Sequence, residues 1–265
     1  MFATSGKAGL AYSSDGTGDP VLLIHAGVTD RRSWRQLTPR LGDFRVVSYD
    51  QRGYGETSYT PEPYSPAADA VAVLDAAGVE RAMVVGCSMG GGVAIDLALE
   101  YPERVSRLVL IAPSVTGAPW EEEYPGQIGT VVEKLEAAEE SGDVEETNRL
   151  EAWVWLDGPG APEGRVGGET RELFLDMNGI ALRRDEPGER DRVEDAWERL
   201  GEIAVPTLVM AGELDFPQFG VIGAGMAERM PDARFLPLAG VAHLPHLEND
   251  DTCLTAIEEF LSRGL

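Results

Sequence analysis

Short apolar runs alternate with longer amphipathic segments through the first 112 residues of the chain. Apolar runs of this kind are typical of strands that are buried on both faces of a sheet. The amphipathic segments between them are suited to helices that cover such a sheet. The pattern therefore predicts an α/β fold with a mostly parallel sheet and helices on both of its faces.

This first part of the chain contains four predicted strands and two predicted helices. Gly78 and Pro102 end the helices, because glycine favours helix termination and proline does not continue a helix. The first strand ends at His25 and the second ends near Asp50. In chain order, the strands are PVLLIHAG, RVVSYDQRG, RAMVVGCS and RLVLIAPS, and the helices are AADAVAVLDAAGV and GGGVAIDLALEYPERV.

The alternation breaks from about Ser114 to Ile203, where acidic helical stretches and a Gly/Pro loop, DGPGAPEG, occur. Further helical pieces are predicted there over residues 170–184 and 191–201. The alternation resumes with the strand VPTLVMAGELD, a helix to Met230, the strand ARFLPL and the closing helix TCLTAIEEFLSRGL. The sequence therefore predicts one α/β core, residues 1–113 and 204–265, with a helical insertion over residues 114–203.

The composition is that of a globular protein that folds on its own, with 43% hydrophobic and 26% charged residues in a chain of 265. The 46 acidic and 22 basic residues give a formal net charge of −24. Such a charge repels nucleic acid and anionic membrane surfaces, so a small molecule is the expected partner. The acidic run Glu121–Glu123 is interpreted as solvated surface.

The first residues of the chain contain neither a basic nor an apolar signal region, and no apolar run reaches the length of a membrane span. Cys87 and Cys253 are too few for a disulfide framework and lack the spacing of a metal-binding cluster. We therefore expect a cytoplasmic protein that spans no membrane and is either a monomer or a homodimer.

The pentapeptide Gly86-Cys87-Ser88-Met89-Gly90 matches G-x-S-x-G, in which a sharp turn between a strand and a helix exposes a serine. The strained turn leaves no space for side chains two positions before and after the serine. Gly91 and Gly92 are instead expected to let the following helix pack close to the sheet. We therefore expect alanine at Gly92 to be tolerated far better than valine at Gly86 or Gly90.

A serine hydroxyl becomes a nucleophile when a base takes its proton, and histidine is the usual base. The chain contains three histidines. His243 lies on a loop between the last strand and the final helix and is the preferred candidate. His25 ends a buried strand, which favours a structural role, and His246 is expected to pack or to contact solvent.

The third member of such a set is a carboxylate that orients the imidazole. Asp215 follows a strand end and precedes His243, which gives the chain order Ser, Asp, His that accompanies this serine turn. Glu213 is its nearest rival. Asp215 could alternatively act only as the N-cap of the following helix.

Backbone amides are needed to bind the oxyanion of a tetrahedral intermediate, and together they form an oxyanion hole. One donor is predicted to be the amide of Met89, directly after the serine. The second is predicted in the loop after the first strand, at Gly27, with Val28 as the alternative. Gly27 could also do no more than turn the loop.

Six segments of the chain are similar to motifs of one protein family: HAG, DQRGYGETS, GCSMGGG, YPERVSRLVLIAP, AGELD and AGVAHLPHLE. They resemble the α/β-hydrolase superfamily over nearly the whole chain, and are most similar to small capped bacterial esterases and 3-oxoadipate enol-lactonase-like hydrolases. The chain departs from the family pattern at Ala26, because the family commonly has glycine directly after the histidine. This departure concerns the identity of the second oxyanion donor.

The resemblance implies that residues 114–203 form a cap over a substrate pocket. It also implies roles for the candidate residues: Ser88 as nucleophile, His243 as base, Asp215 as the acid, and Gly27 and Met89 as oxyanion donors. The implied reaction is acyl transfer through an ester on the serine, followed by hydrolysis, with no metal and no organic cofactor.

A small ester or lactone is the predicted substrate class. A serine in the turn, where other branches carry aspartate, argues against dehalogenase and epoxide-hydrolase chemistry. C–C bond hydrolysis of diketone-like acids and cofactor-free perhydrolysis use the same three side chains and stay as alternatives. A ligand-binding protein with slow or absent turnover is a further alternative.

Several side chains, most of them aromatic or apolar and in the insertion, are candidates for lining the substrate pocket, although each is also an ordinary way to pack a cap onto a core. The candidates are Trp120, Trp153, Trp155, Val28 and His25, with Phe174, Met177 and Trp34 as further members.

Overall fold

The protein is described by a computed structural model that covers residues 1–120 and 124–262, so the run Glu121–Glu123 and the end of the predicted closing helix lie outside the described residues. Its centre is an eight-stranded sheet in the order β1-β2-β4-β3-β5-β6-β7-β8. The strands are β1 (Phe2–Ser5), β2 (Ala8–Asp15), β3 (Pro20–Ile24), β4 (Arg45–Tyr49), β5 (Ala82–Cys87), β6 (Val105–Ile111), β7 (Thr207–Gly212) and β8 (Ala233–Leu238).

Strand β2 pairs antiparallel with both β1 and β4, and the other neighbouring strands are parallel. The predicted α/β fold with a mostly parallel sheet is therefore confirmed. The carboxyl ends of the parallel strands meet along one edge, which is where functional groups collect in such sheets.

The antiparallel hairpin of β1 and β2 was not predicted. Its strands contain few large apolar side chains, and in β2 the buried ones are Leu10 and Tyr12. The hairpin turns at Gly6, which has a φ of 52°. Two-residue turns of this kind join antiparallel strands.

Helices cover both faces of the sheet. Successive residues of a strand point to opposite faces, so one strand contributes side chains to two separate cores. In β5, Val84 belongs to the core under the helices of residues 66–76 and 89–100, whereas Val85 belongs to the core under the helix of residues 251–262. The helices of this α/β part are α1 (Pro66–Ala76), α2 (Met89–Glu100), α7 (Pro217–Arg229) and α8 (Asp251–Ser262).

Between β6 and β7 the chain forms α3 (Gly126–Ser141), α4 (Val144–Glu151), α5 (Gly168–Ala181) and α6 (Ala196–Arg199), and the π-helical segment Ala152–Asp157 follows α4 directly. The chain turns between α3 and α4 because Gly142 has a φ of 70° and the Asp143 side chain accepts from the amide of Glu146. The helix predicted over residues 191–201 is limited to α6 and a 3₁₀ turn, Leu200–Glu202. No helix in the described ranges combines the length and apolar character needed to cross a membrane.

Candidate active site

Ser88 lies at the junction of β5 and α2 with a φ of 53° and a ψ of −118°. A positive φ on a non-glycine residue costs roughly 1–3 kcal/mol, so the surrounding structure must hold it in place. The Ser88 amide donates to the carbonyl of Ile111 at 2.8 Å, and the Ser88 carbonyl accepts from the amides of Gly92 and Ser114, both at 3.0 Å. The sharp turn predicted for this serine is confirmed, and it is fixed from both β6 and α2.

The glycines around Ser88 are required by close backbone contacts. A Cβ on Gly86 would lie within 3.0 Å of the carbonyl oxygen of Gly90, and a Cβ on Gly90 would lie equally close to the carbonyl oxygen of Ile24. The expected difference between Gly92 and the other two glycines is not supported by these contacts, because Gly92 is as tightly enclosed as Gly86 and Gly90. The first turn of α2 packs against the end of β6, so a Cβ on Gly92 would also come within 3.0 Å of the Ser114 carbonyl oxygen.

Gly92→Ala is therefore expected to lower the free energy of unfolding by about 1–3 kcal/mol, because the new methyl group collides with backbone that has no free space to move into. The matched control is Gly220→Ala in α7, where a Cβ meets nothing within 4 Å. The control should be neutral or stabilising by up to about 1 kcal/mol. Urea unfolding of both variants measures the difference, and equal stabilities would contradict this account of Gly92.

Asp215 and His243 follow the neighbouring parallel strands β7 and β8, and their side chains meet. Asp215 Oδ2 lies 2.6 Å from His243 Nδ1, and both side chains are buried. The other carboxylate oxygen of Asp215 accepts from the amide of Phe216 at 2.8 Å, so both oxygens are fixed. A carboxylate at Nδ1 keeps the proton on that nitrogen and leaves Nε2 free to accept one. The rival Glu213 is exposed.

The loop that carries His243 packs directly against Cys87, the last residue of β5. The Cys87 thiol lies 3.6 Å from the carbonyl oxygen of His243 and donates to it. Burial raises the pKa of the Cys87 thiol, so this residue stays a thiol and acts in packing, not as a second nucleophile. At the end of β7, Gly212 provides the space for the same loop, because a Cβ there would lie within 3.0 Å of the Ala242 carbonyl oxygen.

His25 and His246 are built into the core. The Nε2 of His25 accepts from the amide of Gln51 at 3.0 Å, and its Nδ1 lies 2.7 Å from the carbonyl oxygen of Ala26. Burial lowers the pKa of His25, so the ring stays neutral. His25 was predicted as a lining residue, but it is fully buried and presents no surface to a ligand. His246 stacks on Trp34 at 4.2 Å, and burial lowers its pKa to about 3.

The two predicted oxyanion donors lie next to each other. Met89 is the first residue of α2, where an N–H group has no acceptor within the helix and the helix dipole favours negative charge. Gly27 lies in a turn whose hydrogen bond runs from the Thr29 amide to the Ala26 carbonyl at 3.2 Å and does not use the Gly27 amide. A Cβ on Gly27 would stand 3.7 Å from the Met89 Cβ. Val28 follows in the same turn.

Known proteins are similar to this chain in sequence. Residues 19–143 match a protein family described as the alpha/beta hydrolase fold. A rhodomycin D methylesterase from Streptomyces peucetius is 30% identical over 268 residues, which cover 87% of this chain and 88% of that protein. The chain belongs to the α/β-hydrolase fold family.

Two further proteins are similar to this α/β-hydrolase over nearly its whole length. A 2-hydroxy-6-oxo-6-phenylhexa-2,4-dienoate hydrolase from Burkholderia cepacia is 26% identical over 294 residues, which cover 99% of this chain and 96% of that protein. The structure of a thermophilic esterase from Thermogutta terrifontis is 28% identical with a TM-score of 0.70, and the match covers 98% of this chain and 95% of that one.

Aromatic side chains surround His243 in this α/β-hydrolase. Trp155, in the π-helical segment, and Phe219, in α7, each place a ring centroid 4.7 Å from that of His243. Phe216 lies 5.4 Å from Trp155 and extends the same cluster. Trp120 is 5.1 Å from Phe219 and 45% exposed, which places it at the outer rim of the cluster.

Other predicted lining residues of the hydrolase lie elsewhere. Trp153 donates its indole N–H to the Ala161 carbonyl oxygen at 2.8 Å and packs beneath Lys134. Trp34, Phe174 and Met177 are fully buried in the hydrophobic core on the α8 side of the sheet, so they are packing residues.

Four side chains near the candidate site residues were not predicted from the sequence: Phe216, Phe219, Tyr54 and Arg190. Phe216 directly follows Asp215 and Phe219 lies one helical turn further, so their spacing from the strand end was a usable signal. Tyr54 follows the end of β4, and its hydroxyl lies 3.9 Å from Met89 Sδ. Nothing in the local sequence marks Arg190. In the part of the chain that the structure describes, no group of His, Cys, Asp and Glu side chains is arranged to hold a metal ion.

Proposed function

We propose that the protein is a serine hydrolase that cleaves a small carboxylic ester or lactone through an acyl-enzyme on Ser88. The observation that carries this proposal is the 2.6 Å contact between Asp215 Oδ2 and His243 Nδ1. The loop of His243 packs against Cys87, the residue directly before the strained serine. A neutral imidazole held by a buried carboxylate is the arrangement that removes a proton from a serine hydroxyl.

In the proposed reaction, His243 Nε2 takes the proton of the Ser88 hydroxyl as the serine oxygen attacks the carbonyl carbon. The carbonyl oxygen becomes an oxyanion and accepts from the amides of Gly27 and Met89. The bond to the leaving oxygen then breaks, and His243 gives that oxygen the proton. A water molecule repeats the sequence on the acyl-enzyme and releases the acid, while Asp215 stabilises the imidazolium in both steps.

The inserted helices are proposed to form a cap that covers this reaction. Support comes from Trp155, which belongs to the insertion but packs against His243 and Phe216 of the α/β part. The end of the π-helical segment is anchored, because buried Asp157 pairs with Arg171 at 2.8 Å and accepts from the amides of Gly164 and Val166. A π-helical turn is a departure from regular helix that often occurs at functional sites.

The aromatic cluster around His243 is proposed to line the side of the pocket that takes the leaving group. His243 must protonate the leaving oxygen, so the groups in contact with its ring are the groups that the leaving part of a substrate meets. Trp155 and Phe219 provide apolar surface there. An alkoxy or aryloxy group of low polarity fits this side.

C–C bond hydrolysis is the second candidate, because the Burkholderia cepacia relative hydrolyses a dienoate by its name and is similar over 99% of this chain. The same serine, activated by the histidine and the carboxylate, can attack a ketone carbonyl in place of an ester carbonyl.

A panel of short p-nitrophenyl esters, simple lactones and diketone-type acids separates the two candidates. Esters or lactones are expected to have the higher kcat/KM, by at least about tenfold, because an alkoxide is a better leaving group than a carbanion. Efficient cleavage of diketone-type acids together with weak ester turnover would favour the second candidate. Absence of turnover across the whole panel would contradict both.

A further inference from the structure

Arg190 reaches from the inserted segment to the start of α2. Its Nη1 lies 3.0 Å from Met89 Sδ, and the hydroxyls of Tyr54 and Tyr64 lie beside the same guanidinium. The Tyr54 hydroxyl in turn stands 3.5 Å from the position that a Cβ on Gly27 would take. Arg190 and Tyr54 therefore adjoin the two residues whose amides are the candidate oxyanion donors.

The backbone holds Arg190 in this place. The amide of Tyr64 donates to the carbonyl of Glu189 at 3.0 Å, and the amide of Asp191 donates to the carbonyl of Tyr64 at 2.8 Å. These two bonds form a short parallel bridge between the insertion and the α/β part. The side chain is thus directed by a fixed backbone and not by a free loop.

Arg190 also lacks a carboxylate partner among the described residues, whereas many arginines of this acidic chain have one. Arg192, two residues further on, pairs with Asp96, and Arg52 pairs with Asp69 at 2.8 Å. Within residues 1–120 and 124–262, no carboxylate lies within 4.0 Å of the Arg190 guanidinium. A thioether is a weak acceptor and a guanidinium has five N–H donors, so Arg190 retains donors for a ligand.

Arg190 and His243 have different neighbours. His243 contacts Trp155 and Phe219, which are proposed to face the leaving group, whereas Arg190 contacts Met89 and the tyrosine hydroxyls. A substrate carbonyl bound at the Gly27 and Met89 amides directs its leaving group toward His243. Its acyl chain is then the part left to meet Arg190.

We propose that Arg190, together with the Tyr54 hydroxyl, binds a carboxylate on the acyl part of the substrate, which makes half-esters of short dicarboxylic acids the preferred substrate class. This inference rests on the proposed serine hydrolase. A planar guanidinium binds a carboxylate through two parallel hydrogen bonds, and the adjacent phenol adds a third donor.

The test compares monoethyl esters of succinic, glutaric and adipic acid with the ethyl esters of butanoic, pentanoic and hexanoic acid, which have the same chain lengths without the charge. The wild-type protein is expected to have a higher kcat/KM for at least one half-ester than for its neutral counterpart. Arg190→Gln is expected to lower kcat/KM for that half-ester by about tenfold to a hundredfold, mainly through KM, because it removes a charge-assisted contact. Turnover of the neutral esters, which carry no carboxylate, should fall less than turnover of that half-ester.

The matched control is Arg183→Gln. Arg183 is an exposed arginine of the same segment that pairs with Glu145, so the variant makes the same change in net charge away from Met89. It should leave the ratio of half-ester to neutral-ester turnover unchanged. A second readout is inhibition of neutral-ester turnover by free glutarate, which should weaken in Arg190→Gln and not in Arg183→Gln.

Equal effects of the two arginine variants, or a wild-type preference for every neutral ester, would overturn the inference. Its failure is distinguishable from failure of the proposed function. If neutral-ester turnover depends on Ser88 but the selectivity does not depend on Arg190, only the carboxylate subsite is wrong. If neutral-ester turnover persists without Ser88, the proposed hydrolase mechanism itself is wrong.

Discussion

Ser88→Ala is expected to lower kcat for a short p-nitrophenyl ester by at least roughly a thousandfold, because it removes the oxygen that is proposed to form the acyl-enzyme. The fold should persist. The turn is held through the backbone amide and carbonyl of Ser88, which alanine retains, and the strained φ of 53° affects both residues in the same way.

The matched control for this variant is Ser114→Ala. Ser114 lies beside the turn, and its amide donates to the Ser88 carbonyl at 3.0 Å, but its side chain is exposed. Ser114→Ala should therefore keep kcat within about twofold of wild type. Steady-state kinetics with circular dichroism of each variant separates loss of chemistry from loss of fold, and wild-type rates in a folded Ser88→Ala variant would refute the mechanism.

Asp215→Asn is expected to lower kcat by about ten-thousandfold, an effect seen when the carboxylate of such a set is replaced by its amide. The amide can present an N–H group to His243 Nδ1, which favours the tautomer with its proton on Nε2, the nitrogen that must accept the serine proton. It also removes the negative charge that stabilises the imidazolium. The short contact of 2.6 Å shows how directly the two side chains are coupled.

Glu213→Gln is the control for Asp215→Asn, since it makes the same chemical change two residues away in the same loop. Glu213 is exposed, and its backbone amide, which the substitution keeps, donates to Leu238 at 2.9 Å. We expect its kcat to stay within about twofold of wild type. A loss of less than about tenfold in Asp215→Asn, or an equal loss in Glu213→Gln, would show that Asp215 does not orient the histidine.

The features that could be predicted from the sequence are those set by local pattern and chain order. Buried apolar strands followed by amphipathic helices specify a parallel sheet, and its carboxyl edge collects the residues that follow each strand. Ser88, Asp215 and His243 each follow a strand, so their position at one edge of the sheet could be predicted without knowledge of any contact. The glycines at positions 86 and 90 follow from the serine turn itself.

The features that were missed depend on contacts between distant parts of the chain. Gly92 is constrained by the Ser114 carbonyl, which lies in the segment that follows β6. The burial of Phe174 and Met177 depends on which face α5 turns toward the sheet, and an aromatic residue in an amphipathic helix does not reveal that face. Arg190 reaches Met89 only because residues 189–191 pair with Tyr64, more than a hundred positions earlier.

The proposed mechanism requires that Ser88 carries the acyl group, and mass spectrometry of the labelled protein can show which residue reacts. The protein is treated with a fluorophosphonate, which reacts with activated serines, and is then digested. The proposed mechanism predicts one adduct, on the peptide that contains Ser88, with no adduct in Ser88→Ala and much slower labelling in His243→Ala. An adduct on another residue, or undiminished labelling of Ser88→Ala, would contradict it.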